Sequence, residues 1–193
     1  CRIIDLANAL GTSVVTTHIG VIPEDKNEAR YGVMLAALTE CGRYAKAHGV
    51  TLAIETGPET AKTLLGFIED TDGGVGVNLD PANLTMVTDD DPVAAVRLLG
   101  KHIVHTHLKD GVLLKKTDPK IIYDSFAVGG IEGLNAADYF REVPVGEGSV
   151  DFPNYLAALR ETGYNGYLTI ELEAGAHPEA DIVKARDTIR KML

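Results

Sequence analysis

Cysteine and basic charge are both scarce in this 193-residue chain, and each shortage excludes something. The two cysteines, Cys1 and Cys41, form no CxxC pair, so neither a disulfide framework nor a thiolate metal site is expected. Eighteen Lys and Arg against 28 Asp and Glu give a net charge of −10, which argues against nucleic acid as partner, because phosphate backbones are met by a basic footprint. A small phosphorylated molecule stays open, since it needs only a local cation. No apolar run approaches the roughly 20 residues of a membrane span, and there is no secretory signal, so no membrane partner is expected and the cytoplasm is the default location. No glycine-rich phosphate turn follows a first strand. The acidic run ending at Asp91 lacks the spacing of a calcium-binding EF-hand loop and reads as a helix cap. The rest, 45% hydrophobic and 24% charged, is an ordinary globular composition for a single domain over 1–193.

Strand and helix patterns alternate along the chain. Ile3, Leu6, Ala7 and Leu10 fall on one face of a helix stopped at Gly11, and the strand VVTT (14–17) follows, ending near His18 and Gly20. A helix over 28–48 carries Tyr31, Met34, Leu35, Leu38, Cys41 and Ala45 at helical spacing. Then come TLAIE (51–55), a helix near 60–70, VGVNLD (75–80), a helix opened by Asp91 and Pro92, and HIVHTH (102–107). The stretch 111–141 shows little periodicity and reads as a long functional loop, with EVPVG (142–146) as a minimal strand after it. A helix from Asp151 or Phe152 to Gly163, the strand YLTIE (167–171) and a helix from about 178 complete the pattern. Six βα units can be counted, which predicts a parallel sheet with helices outside. A (β/α)8 TIM barrel typically needs about 250 residues, so the reading is a barrel that lacks its first two units in this chain. The open sheet edges would then be covered by further chain or by a homo-oligomer partner.

Four of these strands end in a residue able to bind a divalent cation: Glu55, Asp80, His107 and Glu171. In a parallel barrel the C-terminal strand ends converge on one mouth, where active sites are built. Two Glu, one Asp and one His form a hard, oxygen-rich site with one nitrogen, suited to manganese, magnesium or cobalt and somewhat less to zinc.

The order LAIE, NLDPANL, HTHLKD and VPVGEGSVDFPNYLAALRETGYNGYLTIE resembles the sugar phosphate isomerase/epimerase group with the xylose isomerase-like TIM barrel. The phrase GEGSVDF followed by GYNGYLTIE carries most of that likeness. The resemblance implies one metal ion held by Glu55, Asp80, His107 and Glu171, with Glu55 and Glu171 also catalytic. One glutamate would take a proton from the carbon beside a carbonyl and the other return it on the opposite face, through a metal-stabilised enediolate. The chemistry agrees, because such a C–H is a weak acid that needs a Lewis acid on the oxygen and a positioned base.

Two departures bear on the substrate. Asn83 stands where the ketose epimerases place a His, and Leu113 where they carry an Arg. They turn the expectation from a free ketose toward another polyol, a phosphorylated sugar or a dehydratase substrate of the inosose or dehydroshikimate kind. An inactive fragment or binding module is the third alternative. His18, Asn83, Lys109 and Glu147 are the candidate substrate contacts, and His105 and Asp110 the residues expected behind the ligands, with Lys109 and Asp110 in the HLKD turn. Lys115 and Lys116, in the long loop, are candidates for meeting a negative charge. Glu173 reads as solvated or salt-bridging, and His48, His102 and His177 as structural.

Overall fold

A computed structural model describes residues 1–127, 129, 134–173 and 177–193. Its frame is a curled parallel sheet of β1 (Val14–Thr17), β2 (Thr51–Glu55), β3 (Val75–Leu79), β4 (Ile103–Leu108) and β7 (Leu168–Ile170), in the order β1-β2-β3-β4-β7. The helices between them are α1 (Arg2–Ala9), α2 (Ala29–Ala47), α3 (Ala61–Asp70), the single turn α4 (Pro81–Asn83), α5 (Pro92–Leu99), α6 (Pro119–Ala127), α7 (Phe152–Glu161) and α8 (Pro178–Arg190). β5 (Asp110–Leu113) and β6 (Phe140–Val143) form a separate antiparallel ribbon.

β3 is buried along its whole length, as expected of a central strand with both faces covered. Against the sheet, Leu64 and Phe67 of α3, Val96 and Leu99 of α5, and Phe152 and Tyr155 of α7 are almost wholly buried. Each such side chain contributes roughly 1.5–3 kcal/mol. α2 crosses so close to the start of β3 that a Cβ on Gly74, whose φ is +81°, would collide with the backbone of Gly42. The helix starts follow their signals. Thr60 accepts from Thr63 N at the head of α3, Asp91 from Val93 N ahead of Pro92, and Asp151 from Asn154 N ahead of Phe152.

Four expectations need correction. The EVPVG stretch adds no unit to the parallel sheet: its first residues belong to β6, which pairs with β5, so among the described residues the parallel strands number five and not six. The long loop after β4 is largely ordered, with β5, α6 and β6 inside it. Its signals were local: Asp118 precedes Pro119 and accepts from Lys120 N at 2.9 Å, a helix start that the weak periodicity hid. The apolar face assigned to α1 is mostly solvent-facing, with Ile3, Leu6 and Leu10 exposed and Ile4 and Ala7 buried. A tally of apolar residues at helical spacing cannot tell which neighbours will cover them. Lastly, Asp110 lies in a strand and not in a turn.

Glu59, in the loop between β2 and α3, is buried with neither carboxylate oxygen hydrogen-bonded. Burial pushes its pKa up to about 8. A folded-state pKa above the unfolded one means stability that is fully present below about pH 4.5 and is lost as the pH rises through about 8. Glu59→Gln is therefore expected to flatten the loss of stability between pH 5 and pH 8. At pH 8 the difference from the parent approaches about 4 kcal/mol. Urea unfolding at the two pH values checks this, and identical pH dependence in variant and parent would refute it.

Candidate metal centre

The four strand-end residues meet. Glu55 ends β2, Asp80 follows β3, His107 lies near the end of β4 and Glu171 follows β7, and each offers one ligand atom within 4.8 Å of all the others. Parallel register brings them level: Glu55 pairs with Asn78, and Glu171 N donates to Leu108 O. Thr56 fixes the second strand end by donating its hydroxyl to Asp80 O at 2.9 Å and accepting from Asp80 N at 2.8 Å. Asp80 divides its carboxylate. Oδ1 caps α4 by accepting from Ala82 N and Asn83 N, which leaves Oδ2 for the cluster.

His107 turns Nδ1 to the acids, 2.5 Å from Glu171 Oε2, 3.2 Å from Asp80 Oδ2 and 3.7 Å from Glu55 Oε1. Its Nε2 faces the Asn78 amide at 3.1 Å. The same Asn78 amide nitrogen donates to Glu55 Oε2 at 3.1 Å, and its Oδ1 is buried without a partner among the described residues. Burial alone would lower the His107 pKa. Hydrogen bonds to Asp80 and Glu171, and their charges, outweigh it and raise the pKa to about 10. The Glu171 carboxyl is held down at about 2, chiefly by its hydrogen bond to His107. Glu55 moves the other way, raised mainly by burial although the His107 and His18 charges oppose that. His107 thus lies where three carboxylates converge. The donor set of three oxygens and one nitrogen suits a hard divalent ion.

A cavity of about 520 Å³ opens beside the cluster, lined by Glu55, Asn83, Lys109 and His18 among others. Lys109 is buried, with Nζ 3.1 Å from Glu171 Oε1 and 3.8 Å from Asp80 Oδ2. Burial alone would lower its pKa, but the surrounding carboxylates more than offset that and keep it cationic. Asn83 donates to Glu55 Oε1 at 3.4 Å and to Thr56 O at 3.0 Å, and His18 Nε2 lies 3.5 Å from Glu55 Oε1.

The Xylose isomerase-like TIM barrel description matches residues 1–192. The chain belongs to the xylose isomerase-like TIM barrel family. Among its relatives, an inosose dehydratase of Clostridium beijerinckii is 28% identical over 175 residues, covering 86% of this chain and 55% of that protein. An L-ribulose-5-phosphate 3-epimerase UlaE of Salmonella paratyphi C is 43% identical over 72 residues, covering 34% of this chain and 25% of the relative. A solved xylose isomerase domain protein of Planctomyces limnophilus superimposes with a TM-score of 0.79 at 29% identity, over 99% of this chain and 62% of that one. The chain thus spans about half the length of the curated inosose dehydratase it matches. Within the described residues, no helix is long and apolar enough to cross a membrane.

In this xylose isomerase-like chain, other candidates fall elsewhere. Glu147 pairs with Lys184 and does not line the cavity. Lys115 lies over the Tyr139 ring, and Lys116 pairs with Asp89, so neither reaches the site. Among the described residues, the four hydrogen bonds of the Asp110 carboxylate go to backbone N–H groups and not to the cluster. His105 bonds Thr169 Oγ1 at 3.0 Å and sets its ring edge-on to His107, 5.7 Å between centroids. Glu173 is exposed but lines the cavity, 3.8 Å from Lys109.

Several cavity residues escaped the sequence reading, and three of them bear on the chemistry. Tyr123, its pKa raised mainly by burial, comes from α6, and Glu142 comes from β6. Tyr123 belongs to the stretch read as irregular, and Glu142 opens the EVPVG run read as a minimal strand. Part of that stretch therefore stands at the mouth beside Glu55, as the loop's position after β4 leads one to expect. The third, Arg30, sits at the head of a long helix, where nothing in the pattern set it apart.

Proposed function

We propose that this chain carries the metal centre of a divalent-metal-dependent isomerase or epimerase acting on a sugar or sugar-like polyol. One observation carries the reading: Glu55 and Glu171 face the same ligand set from different strands, with a buried ammonium beside one of them. Glu55, Asp80, His107 and Glu171 would hold manganese, magnesium or cobalt, with zinc a poorer match. The ion's contribution when bound is Lewis-acid polarisation of the substrate carbonyl and hydroxyl oxygens. The chain's own residues do the rest. Glu55, its proton affinity raised by burial, takes the proton from the carbon beside the carbonyl, and Glu171 serves the opposite face. Lys109 is too firmly protonated to act as a base and instead offsets negative charge developing on the substrate oxygen. Asn83 and His18 orient Glu55 and contact the substrate.

A second reading, a dehydratase, is favoured by a specific observation: the match to the inosose dehydratase runs over 86% of the chain and that to the epimerase over 34%. In that case Lys109 would instead be the group placed to help hydroxide leave. Both reactions begin with carbon-proton abstraction. The test is incubation of the metal-loaded protein with ketoses, ketose phosphates and inososes in heavy water. Deuterium incorporation with conserved mass otherwise supports the isomerase, and a product lighter by one water supports the dehydratase. Absence of metal binding in calorimetry overturns both and leaves a non-catalytic chain.

A further inference from the structure

Resting on the sugar reading above, we infer that Arg30 selects substrates that carry an anionic end group, a phosphate ester or a carboxylate. Arg30 lines the same cavity as Glu55, Asn83 and Lys109, on the wall that also holds His18 and Gly20. It also lines the neighbouring cavity of about 520 Å³, so Arg30 is shared by two spaces. Its position is built. Gly20, with φ at +81°, lets the side chain lie against the backbone, and a Cβ there would come within 2.9 Å of Arg30 Nη2.

Arg30 makes no ion pair with any carboxylate of the described residues, although Glu28 is two positions away and the chain carries a net charge of −10. The contrast with the other cations is informative. Lys109 is committed to Glu171, Lys116 to Asp89 and Lys120 to Asp124. Arg30 is a cation on the cavity wall with its donors available. A guanidinium offers a planar fork that matches phosphate and carboxylate oxygens in pairs. A neutral hydroxyl would use that fork poorly. One arginine on a wall shared with Glu55 gives an anionic sugar a preferred direction: reacting carbons toward Glu55, charged end toward Arg30.

Calorimetry on the metal-loaded protein tests this with three probes: a pentulose 5-phosphate, the same pentulose without phosphate, and a pentonate. The parent protein is expected to bind at least one anionic probe about tenfold or more tightly than the free pentulose, with a preference that shrinks in high salt. Which anionic probe binds tighter decides between phosphate and carboxylate. Arg30→Gln is expected to erase the preference and Arg30→Lys to keep part of it. Lys115→Gln, outside the cavity, is expected to keep all of it. Circular dichroism confirms that each variant is folded. Equal binding of charged and neutral probes by the parent, or a preference that survives in Arg30→Gln, overturns the inference and leaves the sugar reading standing. Metal binding without binding of any probe overturns the sugar reading itself.

Discussion

Glu55→Gln is expected to stop interconversion of the two epimers while leaving solvent exchange on one of them, with Glu171→Gln giving the mirror result. The expectation follows from where the two carboxylates stand. They reach the cluster from β2 and β7, on either side of His107, so each can serve one face of a carbon held between them. Removing one leaves the proton of the other face exchangeable, yet the proton cannot be returned on the side that lost its base. Interconversion should fall by roughly 10²–10⁴-fold in each variant, the usual contribution of a positioned acid–base group. Glutamine keeps an oxygen able to ligate, so calorimetric metal titration separates loss of the base from loss of the ion. Deuterium wash-in followed by NMR, starting from each epimer in turn, reads the result. Retained interconversion in either variant, with metal bound, would falsify the two-base scheme. Parallel loss of exchange from both epimers would point to a single base, as an elimination requires.

The four clustered residues were legible in the sequence because strand ends are. Each of the four follows a short β-branched or apolar run, and in a parallel sheet such ends share one mouth by topology alone. The supports were less legible, since their roles depend on distance across the chain. Asn78 reads as an ordinary strand residue, yet its amide lies 3.1 Å from both Glu55 Oε2 and His107 Nε2. The cavity wall was least legible. Tyr123 and Glu142 come from a segment whose order rests on a ribbon and a helix packed over the mouth, and helical or strand periodicity over so few residues is weak. Lys115 and Lys116 were chosen for charge and proximity in sequence, but their neighbours Tyr139 and Asp89 take them up on the surface. Arg30 is the converse case, a residue without a motif that acquires its position from the packing of α2 against the loop after β1.

Asp110→Ala is expected to cost the most stability of any single polar substitution considered, about 4 kcal/mol, because one carboxylate organises a whole loop. Asp110 is 1% exposed. Its Oδ1 accepts from Gly111 N at 2.9 Å and Val150 N at 3.1 Å, and its Oδ2 from Gly146 N and Gly148 N, both at 2.9 Å. Alanine would leave four backbone donors to find water or nothing, and charge-assisted bonds of this kind contribute roughly 1.5–3 kcal/mol each before their mutual dependence is counted. Asparagine is no remedy, because its amide would set N–H against N–H on one side. HTHLKD and GEGSVDF, two of the phrases in the order that resembles the family, are thereby two halves of one structure. Asp110 supplies the acceptors and the glycines supply the approach: Gly146 takes φ of +89°, and a Cβ on Gly148 would run into the Asp110 carboxylate. The loop matters to the site because β6, which begins at Phe140 and pairs with β5 at Asp110, carries Glu142 on the cavity wall. Thermal and urea unfolding of Asp110→Ala, Asp110→Asn and Gly148→Ala should therefore show three large losses of similar size. An Asp110→Asn variant as stable as the parent would show that the carboxylate does not hold the loop.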